Sequence, residues 1–148
     1  MEKDLPGVIA PPPLIFLIPF LIGYLCRNLL PRLGSPAIGS VLAVAGVAIG
    51  AWAFVTMLRA RTNIAPYKPS TTVVSGGPYR FSRNPIYVAM TLLYAGAALS
   101  FRIIPALILL PIALLLLHFG VIRREERYLE AKFGDRYREY RSRVRRWT

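Results

Sequence analysis

Four long apolar runs constrain the fold of this chain more than any other feature of its sequence. They lie at about 12–30, 37–58, 86–101 and 103–122. A helix needs about 20 apolar residues to cross a bilayer, and only the run at 86–101 is clearly shorter. Because 55% of the residues are hydrophobic, too little polar sequence is left to cover a soluble domain. We therefore predict an all-α integral membrane protein with four transmembrane helices, forming a single domain over residues 1–148.

The second apolar run contains a stripe of small residues. Gly39, Ala43, Gly46 and Gly50 recur at intervals of three or four, so they share one face of a helix. Gly46 and Gly50 also form a G-x-x-x-G motif, which lets two helix backbones approach closely within a membrane. The stripe therefore predicts a tight contact between helices.

A polar loop at 59–85 and a charged tail at 123–148 interrupt and follow these runs. The loop is long for a connection, and long loops are often functional or disordered. In the tail, apolar residues recur every three or four positions between arginines: Leu129, Phe133, Tyr137, Tyr140, Val144 and Trp147. This pattern predicts an amphipathic, basic helix pair on the membrane surface, broken at Gly134 with Asp135 as an N-cap.

The basic residues predict the orientation in the membrane. With a cytoplasmic N-terminus, Lys3, five residues of the loop and ten of the tail lie inside. The outer connections hold only Arg27, Arg32 and Arg102. This strong positive-inside bias places both termini, the loop and the tail in the cytoplasm. Because the tail is attached to an apolar body, the net charge of +12 favours contact with anionic lipid and predicts no nucleic-acid partner.

A first polar cluster precedes the third apolar run. Tyr79, Arg83, Asn84 and Tyr87 offer hydrogen-bond donors and acceptors at the predicted cytoplasmic boundary. Tyrosine and arginine are also typical of membrane interfaces, so an interfacial aromatic belt is the alternative interpretation. The cluster alone does not decide between the two.

A second cluster, Glu125-Glu126, follows the fourth run. Adjacent acids are unexpected in a segment that is otherwise basic. Surface ion pairs, for example Glu126 with Arg123 or Glu130 with Arg127, are the alternative interpretation, and such pairs contribute little stability. Taken together, the two clusters bring carboxylates, guanidiniums and phenols to one face close to lipid. S-adenosylmethionine, with its sulfonium, ribose hydroxyls and amino acid group, would find a partner there for every polar group.

The order of these motifs resembles the membrane methyltransferases of the isoprenylcysteine carboxyl methyltransferase family, to which the phospholipid methyltransferases are related. That family has R-H-P-x-Y before a late transmembrane helix and E-E after a following one. This chain has Arg83-Asn84-Pro85-Ile86-Tyr87 and then Glu125-Glu126. The resemblance extends through Leu129, Phe133-Gly134, Tyr137, Tyr140 and Val144, and it covers about half of the chain.

The resemblance implies S-adenosylmethionine as the cofactor, with S-adenosylhomocysteine as product, in a pocket between the last two spans. The implied cofactor-binding residues are Tyr79, Arg83, Asn84, Pro85, Tyr87, Glu125 and Glu126. The implied catalytic residues are Arg123, which would pair with a carboxylate, and Glu126. Asn84 stands where the motif has histidine. Since asparagine keeps a donor and an acceptor but does not titrate near neutral pH, we expect a binding role there.

The implied reaction is methyl transfer to a lipophilic acceptor reached from the bilayer. An acceptor carboxylate, as in prenylated cysteine, needs only positioning by an arginine, whereas a phospholipid amine needs a base, for which a glutamate is the candidate. We favour carboxyl O-methylation and keep amine N-methylation as the alternative. The oligomeric state is not predicted.

Two hypotheses from other classes compete with an enzyme. A small four-helix transporter normally carries an acid within its spans, and here only His118 lies within a span as a possible proton relay. A membrane anchor would explain the basic tail but not Glu125-Glu126. The single cysteine, Cys26, excludes an internal disulfide, and no metal-binding motif is present. The N-terminal residues Met1–Asp4 are not net positive, so we interpret the first run as a retained span.

Overall fold

The computed structural model describes residues 5–148, and all regular secondary structure within them is helical, with no β-strand. Its helices are α1 (Pro12–Leu25), α2 (Pro36–Arg59), α3 (Pro85–Ser100), α4 (Ile104–Leu117), α5 (Arg123–Phe133) and α6 (Asp135–Arg143). A 3₁₀ turn at Gly77–Arg80 precedes α3, and a π-helical turn at His118–Ile122 joins α4 to α5. The interpretation of residues 1–4, including Lys3, lies outside the described residues.

Two of these helices are long and apolar enough to cross a membrane. They are α2 and the continuous helix Ile104–Phe133, while α1 and α3 are apolar but shorter. The bounds of α2 and α3 agree with the predicted runs to within one residue. The structure therefore supports a membrane protein with two long apolar helices, and the number of four spans stays a prediction.

The first helix is shorter than predicted. We expected a span to residue 30, but α1 ends at Leu25. The Arg27 guanidinium donates to the Tyr24 carbonyl at 2.9 Å and lies over the Tyr24 ring. This hydrogen bond gives a partner to one of the carbonyls that are left free at the C-terminal end of a helix. A proline at position 31 also disfavours helical backbone at the residue before it. The segment that follows Leu25 is therefore a turn.

The small-residue stripe of α2 packs against α3, as the G-x-x-x-G motif predicts. A Cβ atom built at Gly96 would lie 2.7 Å from the backbone nitrogen of Ala43 and from the carbonyl oxygen of Gly39. One built at Gly46 would lie 2.9 Å from the carbonyl oxygen of Ala89. Because these contacts are with backbone, the two helices approach as closely as glycine allows.

Helices α1 and α4 meet in a similar way on the other side of α3. A Cβ atom at Gly23 would lie 2.5 Å from the backbone of Ala106. The Tyr94 hydroxyl of α3 donates to the Ala106 carbonyl at 2.8 Å, and the Tyr94 ring packs edge-on against Phe20. These contacts place α3 between α2 and α4.

The π-helical turn at His118–Ile122 sets the direction of the residues that follow it. Such a turn inserts one residue relative to an α-helix, so side chains beyond it are rotated by about 100° around the helix axis. The Gly120 carbonyl accepts a hydrogen bond from the Ile9 nitrogen at 3.1 Å, which ties the turn to the segment before α1. The turn therefore fixes the face that the start of α5 presents.

The tail forms two helices with a break at Gly134, as predicted. Gly134 has a φ of +53°, a conformation that favours glycine. The prediction of Asp135 as an N-cap is wrong, because Asp135 is the first residue of α6 and makes no capping bond. Its carboxylate instead accepts a hydrogen bond from Arg138 at 2.7 Å.

Candidate active site

A cavity of about 400 Å³ lies where the 59–85 loop, α3, α5 and α6 meet. Six of the side chains predicted for the site line it: Tyr79, Arg83, Asn84, Tyr87, Glu125 and Glu126. Pro85 is buried at the first position of α3, where its fixed φ suits the start of a helix. The fold thus brings both halves of the split motif to one place, although they are separated by nearly 40 residues.

Glu125 pairs with the phenol of Tyr87. The Tyr87 hydroxyl lies 2.9 and 3.0 Å from the two carboxylate oxygens of Glu125, so it donates to this carboxylate across the gap between α3 and α5. Burial raises the pKa of Glu125 to about 7, the hydrogen bond from Tyr87 opposes that rise, and the neighbouring Glu126 adds to it. Near neutral pH, Glu125 can therefore either accept or release a proton.

Glu126 has a different environment from Glu125, although the two are adjacent. Its carboxylate is 9% exposed and lies 3.0 Å from the Arg83 guanidinium. Arg146 donates to both of its oxygens, from Nε at 3.0 Å and from Nη2 at 2.7 Å. These partners come from the loop and from the chain end, and the local pairing of Glu126 with Arg123 is not formed.

Asn84 is buried, and its side chain binds backbone. It occupies the N-cap position of α3, where asparagine usually accepts a bond from the first helical turn, yet it makes no such bond. Its Nδ2 instead donates to the Arg146 carbonyl at 2.9 Å. The residue at the motif histidine position therefore contacts the C-terminal end of the chain as well as lining the cavity.

Tyr79 and Tyr140 connect the loop to α6. The Tyr140 hydroxyl donates to the Tyr79 carbonyl at 2.8 Å. Burial raises the pKa of both phenols above the usual value, so both stay neutral at physiological pH. The Tyr79 side chain lines the cavity beside the acidic pair, where a neutral phenol can donate or accept a hydrogen bond.

Two residues considered in the sequence lie away from the cavity lining. Arg123 is exposed, and its guanidinium lies over the Phe119 ring at 5.6 Å from the ring centre. His118 is partly buried, with its ring edge-on to the same phenylalanine. The structure therefore gives Arg123 no contact at the site, and its catalytic role stays a prediction.

The sequence did not single out Arg146 or the apolar part of the lining. Apolar residues of the cavity include Met57, Val73, Val74, Ile86, Met90 and Leu129. The alternation of apolar and basic residues in the tail signals helices, but it does not show which arginine turns back to the loop. Within residues 5–148, no group of three or more His, Cys, Asp or Glu side chains is arranged to hold a metal ion.

The long loop is ordered by its own hydrogen bonds and by contacts with α5. The Asn63 side chain donates to the Pro69 carbonyl at 2.8 Å, and the Thr71 nitrogen donates to the Thr62 hydroxyl at 3.1 Å. The Ser70 nitrogen donates to the Tyr128 hydroxyl at 3.1 Å. The loop therefore encloses one side of the cavity, as expected if the loop and the tail share one face.

Comparison with known proteins agrees with the motif resemblance. A 26-residue segment is 69% identical to an uncharacterized protein of Haemophilus influenzae, and it covers 18% of this chain and 41% of that relative. No solved structure matches. Residues 35–136 match the phospholipid methyltransferase family, a range that includes both halves of the motif. Because this match covers more than half of the chain, the protein belongs to the phospholipid methyltransferase family.

Proposed function

We propose that this protein transfers a methyl group from S-adenosylmethionine to a lipophilic acceptor, and that the 400 Å³ cavity is the cofactor site. The observation that carries the proposal is the pairing of Tyr87 with Glu125, which joins the two halves of the split motif across the cavity. The family match supports the same reaction class.

The cavity fits a cofactor of this size and chemistry. Pockets for small organic ligands range from about 300 to 1,000 Å³ and combine apolar walls with a few polar groups. Apolar surface for the adenine ring of the cofactor comes from Met57, Met90 and Leu129. Glu125 can accept hydrogen bonds from ribose hydroxyls or an ammonium group. The proposed binding residues are those predicted from sequence: Tyr79, Arg83, Asn84, Pro85, Tyr87, Glu125 and Glu126.

The protein contributes mainly alignment and exclusion of water. The cofactor, when bound, supplies an electrophilic methyl group on a sulfonium. Tyr87 fixes the rotamer of Glu125, and the two arginines fix that of Glu126, so neither carboxylate must reorganise when a ligand enters. Groups fixed in this way lower the entropic cost of reaching the reactive geometry.

The charges around Glu126 favour an acceptor carboxylate, the acceptor of the isoprenylcysteine-type reaction. Two guanidiniums, Arg83 and Arg146, surround the Glu126 carboxylate, so its charge is more than neutralised, and Arg83 also lines the cavity. The Nε of Arg83 is also buried without a hydrogen-bond partner among the described residues. A carboxylate is already nucleophilic, so a neighbouring guanidinium that orients it is sufficient.

Glu125 favours the second candidate, an amine of a phospholipid. An amine must lose a proton before it can attack, and a base works best when its pKa lies near the operating pH. The pKa of about 7 for Glu125 meets that condition. We place the carboxylate first, because Arg83 lines the cavity and its buried Nε, which has no partner among the described residues, can donate to an acceptor carboxylate.

Binding of S-adenosylhomocysteine to detergent-purified protein tests the proposed site. We expect saturable, one-site calorimetric binding by the wild type and at least tenfold weaker binding by Glu125→Gln, since a hydrogen bond to a charged group contributes about 1.5–3 kcal/mol. Glu130→Gln is the matched control, because Glu130 lies on the same helix and pairs with Arg138 and Arg141 at the surface. Absence of binding by folded wild-type protein in restored lipid would refute the proposal.

Transfer of labelled methyl groups then distinguishes the acceptors. Base-labile methyl ester on a prenylated cysteine would support the carboxyl reaction, and base-stable label in extracted phospholipid would support the amine reaction. Neither product, from protein that binds S-adenosylhomocysteine, would contradict both acceptor classes while leaving the cofactor site in place.

We also propose four membrane spans with both chain ends in the cytoplasm. The single cysteine, Cys26, follows α1 at the end remote from the cavity and is partly exposed. A membrane-impermeant maleimide should label Cys26 in intact cells, whereas a Cys26→Ser/Ser142→Cys variant should be labelled only after lysis. The reverse pattern would overturn the proposed orientation.

A further inference from the structure

The last residues of the chain cross back over the site. We call residues Val144–Trp147, which follow α6, the C-terminal strap. Val144 packs against the core cluster that contains Tyr79 and Tyr140. Trp147 packs against the other core cluster, which contains Ile122 at the end of the π-helical turn. The strap therefore joins the two apolar clusters that flank the cavity.

Three consecutive residues of the loop bind the strap. The backbone nitrogen of Arg83 donates to the Arg145 carbonyl at 3.0 Å. Asn84 Nδ2 and the Ser82 hydroxyl both donate to the Arg146 carbonyl, at 2.9 and 3.3 Å. Since Asn84 gives up the usual N-cap bond for this contact, the sequence around the first motif half is arranged to bind the chain end.

The second motif half binds the same residue through its side chain. Arg146 approaches Glu126 with two donors, a fork geometry that restricts the carboxylate to one orientation. Glu126 is buried in the first turn of α5, and its neighbour Glu125 is the residue that meets Tyr87. Both halves of the split motif therefore converge on Arg146, one on its carbonyl and one on its guanidinium.

We infer that Arg146 is a positioning residue for the proposed methyl transfer: through Glu126 it fixes the rotation of α5 at which Glu125 faces the cavity. This inference rests on the proposed function. Arg146 does not line the cavity, and its side chain bonds to Glu126 rather than to Glu125 or Tyr87. It therefore acts through Glu126 and not directly on a ligand. A small displacement of a group that aligns a reaction can lower its rate by about 100-fold.

The test compares neighbouring arginines in the full chain, with S-adenosylhomocysteine as the probe. We expect Arg146→Ala to raise the calorimetric Kd about tenfold or more, because Glu126 then loses its bidentate partner. Arg145→Ala removes the same charge one position earlier from an exposed side chain, and it should change the Kd less than about twofold. Arg146→Lys keeps the charge but not the fork, so its Kd should be intermediate.

A double-mutant cycle shows whether Arg146 acts through Glu126. If it does, adding Arg146→Ala to a Glu126→Gln protein should raise the Kd little further, because the two changes remove the same contact. Ser82→Ala tests the other contact. It removes the hydroxyl that donates to the Arg146 carbonyl at a residue that does not line the cavity, so we expect a higher Kd than that of the wild type.

The outcomes separate this inference from the proposed function. Wild-type protein that binds the probe, together with Arg146→Ala protein that binds equally well, would overturn the positioning role alone. So would additive losses in the cycle, or a lower unfolding temperature with an unchanged Kd. Wild-type protein that does not bind would refute the proposed function. Should Arg146→Ala fail to fold, the Arg146→Lys and Ser82→Ala proteins decide by the same criteria.

Discussion

In the bundle formed by α1–α4, helices meet backbone against backbone, whereas a polar cap is joined through charged and hydrogen-bonded side chains. The cap consists of the 60–84 loop, which is the part of the 59–85 segment between α2 and α3, together with α5, α6 and the C-terminal strap. Gly96 and Gly46 set the spacing in the bundle, and their partners are main-chain atoms. In the cap, Glu126 bonds to Arg146, 20 residues further along the chain, and Tyr140 bonds to Tyr79, 61 residues before it.

In the proposed membrane arrangement of four spans, the difference reflects the two solvents that the bundle and the cap would face. In hydrocarbon, apolar side chains gain no hydrophobic free energy by meeting one another, so helix contacts are stabilised by van der Waals packing, which is closest between small residues. At the membrane boundary, water is available, and buried polar groups must instead find partners of their own. Substitutions can therefore destabilise the bundle and the cap separately.

The largest effect should come from removing the central carboxylate of the cap. Glu126→Ala leaves Arg83 and Arg146 buried or half-buried without their partner, which we expect to destabilise the protein by about 3–5 kcal/mol. Glu130→Ala breaks two exposed ion pairs and should cost less than about 1 kcal/mol. Unfolding in detergent, followed by circular dichroism, measures both. Equal losses of stability in the two variants would show that the ion pairs of Glu126 contribute no more than the exposed pairs of Glu130.

The next effect is a dependence of stability on pH that belongs to Glu125. Its pKa rises from an ordinary value of 4.5 to about 7 on folding, mainly through burial. The folded state therefore binds the proton more tightly than the unfolded state, and stability should fall as pH rises from about 4.5 to about 7. One pKa unit corresponds to about 1.4 kcal/mol, so the decrease should approach roughly 3 kcal/mol.

Glu125→Gln isolates this contribution, since glutamine keeps the shape of the side chain without titrating. We expect the variant's unfolding temperature to vary less between pH 5 and pH 8 than that of the wild type. Glu139→Gln is the control and should leave the wild-type pH dependence in place, because Glu139 is exposed and forms its ion pair with Arg143 at the surface. A wild-type pH dependence in Glu125→Gln would assign the titration to another group.

The sequence predicted the bundle better than the cap. Apolar length gave the bounds of α2 and α3, and the spacing of Gly39, Gly46 and Gly50 gave the face that packs, because both are periodic and local. The end of α1 was misplaced, since the guanidinium of Arg27 and the proline at 31 act against a run that is otherwise apolar.

In the cap, the sequence identified residue types but not their pairing. Glu125 and Glu126 are chemically equal and adjacent, yet one meets a phenol and the other meets two guanidiniums. That difference arises from the π-helical turn before α5 and from the return of the strap, and neither has a local sequence signal. Arg146 was therefore missed, while the guanidinium of Arg123, next to the motif in sequence, lies over the Phe119 ring and outside the cavity lining.

The third effect concerns the bundle. Gly96→Ala places a methyl group against backbone atoms of α2, and we expect a loss of about 2 kcal/mol, because overpacking outweighs the better helix propensity of alanine. Gly50→Ala, whose methyl group would lie 3.3 Å from the Ala89 side chain, should change stability by less than about 1 kcal/mol. Unfolding temperatures in detergent compare the two. Equal tolerance would mean that α2 and α3 are not in close contact.

The smallest expected effect tests one neutral contact of the cap. Tyr140→Phe removes the hydroxyl that donates to the Tyr79 carbonyl but keeps the ring in its cluster, so we expect a loss of about 1 kcal/mol, the usual net contribution of a neutral hydrogen bond. Tyr67→Phe, at a side chain that is 54% exposed, is the control and should leave stability unchanged within error. Because the contact lies between the loop and α6, Tyr140→Phe should also speed proteolysis within the 60–84 loop. Unchanged proteolysis together with unchanged stability would show that this hydrogen bond contributes nothing measurable to holding the loop against α6.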